Sequence, residues 1–124
     1  MLNVDLDEVA GIALLEPEGD LAESDFRQAS EIIDPYIKRA DRLRGIIIHT
    51  ESFPGWDSFS SLVAHLSFVK GHHKKVSHIA LATDSPVGGL AERLATHFTS
   101  ADVKKFRFSE LSQARNWILD SETK

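Results

Sequence analysis

A chain of 124 residues, 42% apolar and 27% charged, has the make-up of one ordinary globular domain over 1–124 with a core of its own. It contains no cysteine, which excludes a disulfide framework, a thiolate metal site and a cysteine nucleophile. A formal net charge of −5 argues against nonspecific nucleic-acid binding, yet it is uneven: residues 1–34 hold ten acids and one base, and residues 35–75 seven bases and three acids.

In chain order, Val4, Leu6 and the stretch from Val9 to Leu15 predict one or two strands, with Asp7-Glu8 as a turn. E-P-E-G-D at 16–20 breaks that pattern. Ser24 is placed to cap a helix, with Asp25 in its first turn. Phe26, Ala29, Ile33, Tyr36, Ile37 and Ala40 then recur at helical spacing, and Pro35 predicts a kink or break among them. Residues 43–50 contain Gly45-Ile46-Ile47-Ile48, the continuous β-branched run of a central strand covered on both faces. Phe59, Leu62, Val63, Leu66 and Val69 predict a second helix, stopped by Gly71. V-S-H-I-A-L-A-T at 76–83 is the next buried strand, and Asp84-Ser85-Pro86 opens a third helix. Residues 103–108 form a strand of alternating polarity, and Leu111, Ala114, Trp117 and Ile118 mark the last helix. Strands alternating with helices imply an α/β fold: a mixed, mainly parallel sheet of four or five strands with about four helices.

The most informative segment is T-E-S-F-P-G-W-D-S-F at 50–59, an aromatic loop between a strand end and a helix start. In an open α/β sheet, ligands bind at the carboxyl ends of strands. Phe53, Trp56, Phe59 and Leu62 would there wall an apolar or amphiphilic ligand, with Asp57, Ser58, Asp84 and Ser85 as its polar rim. The same rings also read as a cap on the core or, with bases nearby, as a peripheral membrane contact. Asp57-Ser58 and Asp84-Ser85 also read as simple helix caps. His49 and His78 lie on buried strands and read as satisfied core imidazoles, while His72-His73 lack a third ligand at metal spacing. With no G-x-S-x-G, Walker A or G-x-G-x-x-G pattern, neither catalysis nor a cofactor is expected. The first residues lack the basic and apolar segments of a signal peptide, and no apolar run reaches the roughly 18 residues of a membrane span. The expected location is the cytoplasm, with room for contact at the inner membrane.

The element order, G-W-D at 55–57 and A-x-x-F-T-x-A-x-V-K-x-F at 95–106 resemble the SpoIIAA-like family, small bacterial proteins similar to the STAS domain. The resemblance implies a four- or five-stranded mixed sheet, related in shape to STAS and to the lipid-carrying CRAL-TRIO fold. STAS anti-sigma-factor antagonists carry D-S-S/T-G at this helix start, and the residue after D-S accepts phosphate from a partner kinase. Here that position is Phe59, which has no hydroxyl, and Ser60 stands where the glycine would be. The resemblance thus implies two roles: a module holding an apolar or amphiphilic ligand, or a regulatory protein-interaction module with a degenerate phosphorylation site. Homodimers are common among such small domains, though no stripe of residues marks an interface.

Overall fold

The computed structural model describes residues 2–18, 22–51, 76–84 and 102–122. They build one five-stranded sheet in the order β1-β2-β3-β4-β5: β1 (Leu2–Asp7), β2 (Ile12–Pro17), β3 (Leu43–His49), β4 (Val76–Ala82) and β5 (Asp102–Phe106). β1 pairs antiparallel with β2, and every later pair is parallel. Two helices are described, α1 (Glu23–Ala40) and α2 (Leu111–Glu122), the second preceded by a 3-10 turn at Phe108–Glu110. This is the α/β, mainly parallel sheet that the sequence implies. The helices anticipated after β3 and after β4 lie outside the described residues.

The N-terminal apolar stretch is two strands, and its turn is later and longer than the sequence suggests. Asp7 makes that turn: its Oδ1 accepts the N–H groups of Val9 at 3.1 Å and Ala10 at 3.0 Å, and its carbonyl accepts Gly11 N–H at 2.8 Å. Val9 is therefore no strand residue but the exposed tip, 98% accessible. Gly11 takes a φ of +73°, a backbone state that suits glycine. Its carbonyl accepts from both Arg44 and Gly45, which pins the start of β2 to β3. The strand also outlasts the expected break, because Glu16 and Pro17 still pair with Asn3 and Leu2 of the hairpin.

α1 begins one residue before Ser24, so that serine is not its cap. Ala22 holds the cap position, and Asp25 Oδ2 accepts the Ala22 N–H at 2.8 Å. The helix runs unbroken through Pro35. The carbonyl that loses its partner to proline belongs to Glu31, and both residues face solvent, where water can replace the bond. Ala40 is the last residue of the helix and is exposed, and Asp41 ends the helix with a left-handed φ of 71°.

The isoleucine run explains the layering. Ile46 and Ile48 point to the α1 side and join Leu15, Ile33, Ile37, Ile79 and Leu81. Ile47 points to the α2 side and joins Ile12, Ala80, Ala82, Ala114 and Ile118. On the α2 side Gly45, Ala80 and Ala82 carry little or no side chain, and Ile118 packs directly over Gly45. α2 packs on β3, β4 and β5, whereas α1 packs on β1 and β3.

Candidate functional site

The carboxyl ends of β2, β3 and β4 meet beside the first turn leading into α2. Thr50, buried, donates its N–H to the Ala82 carbonyl at 3.2 Å, so the chain is still bonded to β4 as it leaves β3. Thr83 is fully buried; its N–H reaches the Phe106 carbonyl at 3.0 Å and its hydroxyl the Glu51 carbonyl at 3.4 Å. The turn at Thr83 therefore lies beside the chain leaving β3 at Glu51. Asp84 is exposed, and its Oδ1 accepts the Phe108 N–H at 3.1 Å. That bond gives the carboxylate a structural use at the start of the 3-10 turn, whose cap residue Arg107 donates its N–H to Glu110 Oε1 at 2.8 Å.

His49 sits at the centre of this edge. Its Nδ1 lies 3.0 Å from Glu16 Oε2, and its Nε2 lies 3.0 Å from the Phe108 carbonyl oxygen. The Phe108 ring stacks on the imidazole with centroids 4.2 Å apart and planes within 5°. The histidine side chain is 12% exposed. Both ring nitrogens thus have partners, and the cluster holds the ends of β2 and β3 against the 3-10 turn. His78, also buried, contacts the Arg44 carbonyl at 3.4 Å and meets the edge of Trp117 at 5.0 Å, the core imidazole that its strand implies. Among the described residues no three metal-ligating side chains converge.

Beside His49 opens a cleft of about 400 Å³, bordered by Asn3, Glu16, Glu18, Glu51 and Phe108. Its border is polar and acidic. The bases Lys38, Arg39, Arg42 and Arg44 belong to the other end of the sheet, around the start of β3. A seven-residue strand separates the two ends by about 20 Å.

Of the residues singled out from sequence, the structure places Asp84 at this edge. Phe53, Trp56, Asp57, Ser58, Phe59, Leu62 and Ser85 lie outside the described residues. Sequence reasoning missed the alliance of Glu16, His49 and Phe108, which are 33 and 59 residues apart along the chain. Only the strand register puts Glu16 and His49 on one face of neighbouring strands, and no local motif encodes it.

No described helix is long and apolar enough to cross a membrane. Compared with known proteins, residues 12–119 match a family model described as SpoIIAA-like. No curated protein and no solved structure matches the chain.

Proposed function

This chain belongs to the SpoIIAA-like family, and on that premise we propose that it is a non-enzymatic, STAS-type regulatory module that binds a protein partner from the carboxyl end of its sheet. The observation that carries this reading is the family match across β2 to α2 together with the sheet order it accompanies. In this reading Asp57 and Ser58 open the contact helix, and Phe59 removes the usual phosphate acceptor. Ser58 or Ser60 would then carry any phosphate, and a phosphate at a helix start alters partner binding through charge. The module works in the cytoplasm without cofactor or nucleic acid.

The test is retention of a partner from host extract by the immobilised full chain. Wild type is expected to retain a protein that Ser58→Asp or Ser60→Asp releases. A chain that retains none, with neither serine phosphorylated in cells, refutes the proposal.

A second reading has its own support in the 400 Å³ cleft. A small amphiphile would place its polar head among Glu16, Asn3 and Glu51, and its apolar part against Phe53, Trp56, Phe59 and Leu62. Native mass spectrometry of protein from its own host is expected to show the ligand as added mass. For the membrane form of this reading, Trp56→Ala must weaken flotation with anionic vesicles, and equal flotation removes it.

A further inference from the structure

We draw no further inference here: the strongest candidate, the cleft of about 130 Å³ between the β1–β2 hairpin and α2 with Ile12, Leu14, Ile47 and Leu111 as its apolar lining, has its Asp7 and Arg115 already paired with each other, and nothing among the described residues shows what covers it.

Discussion

Asp7 does the work of two residues. One oxygen closes the β1–β2 turn through Val9 and Ala10, and the other holds Arg115 of α2 across 108 positions of sequence. The Ala10 N–H first, and then Arg115, draw its carboxyl below the usual carboxylate value of 3.8. A carboxyl with a lowered folded value stabilises the fold above its unfolded value, and that contribution disappears as pH falls through the folded one. Urea unfolding of wild type and Asp7→Ala should thus show a gap near neutral pH that closes on acidification below about pH 4. Asp7→Asn should close part of the gap at neutral pH, because its amide oxygen can still take the turn N–H groups. His49 is the second test at this scale. Losing its two hydrogen bonds, one to a carboxylate, should cost His49→Ala about 1–3 kcal/mol in urea unfolding. His49→Phe, which keeps the stack on Phe108 but neither bond, should recover little.

The elements show which parts of the fold were legible. The run at 46–48 announced a strand with cover on both faces, and the two cores bear it out through Ile46 and Ile48 on one side and Ile47 on the other. Leu111, Ala114, Trp117 and Ile118 likewise marked the packed face of α2. The misread positions were ends: Val9, Glu16 and Ser24 were decided by hydrogen bonds that hydrophobic spacing does not record. The acidic cleft was illegible for a related reason. Its members come from β1, β2, the end of β3 and the 3-10 turn, and only pairing register gathers them. Close packing of α2 makes its own prediction. A Cβ added at Gly45 would lie 2.6 Å from Ile118 Cδ1 and 2.8 Å from its Cγ2. Because Ile118 is fully buried, Gly45→Ala should cost about 1–3 kcal/mol. Ile118→Ala in the same chain should cost less than the sum of the single changes, a non-additivity that a double-mutant cycle measures.

Across the whole molecule, stability should be graded from the middle of the sheet outward. β3 and β4 are buried along nearly all their length, while β5 alternates exposed and half-buried residues at an edge. Native-state amide exchange is therefore expected to be slowest in β3 and β4 and faster in β5. Equal protection across all five strands would show that the edges are held by more than the described contacts. The stable centre also fixes where the polar ends of the sheet lie, with carboxylates beyond β2 and β3 and bases at the start of β3. The bond from Phe108 to Asp84, and the contact of His49 with Phe108, tie the exits of β3 and β4 to the entry of α2. That tie makes the last helix a thermodynamic reporter on the sheet's carboxyl end. Any partner whose affinity depends on this arrangement must tighten the first turn of α2 by the same free energy with which an intact turn favours the partner, since linkage runs equally in both directions.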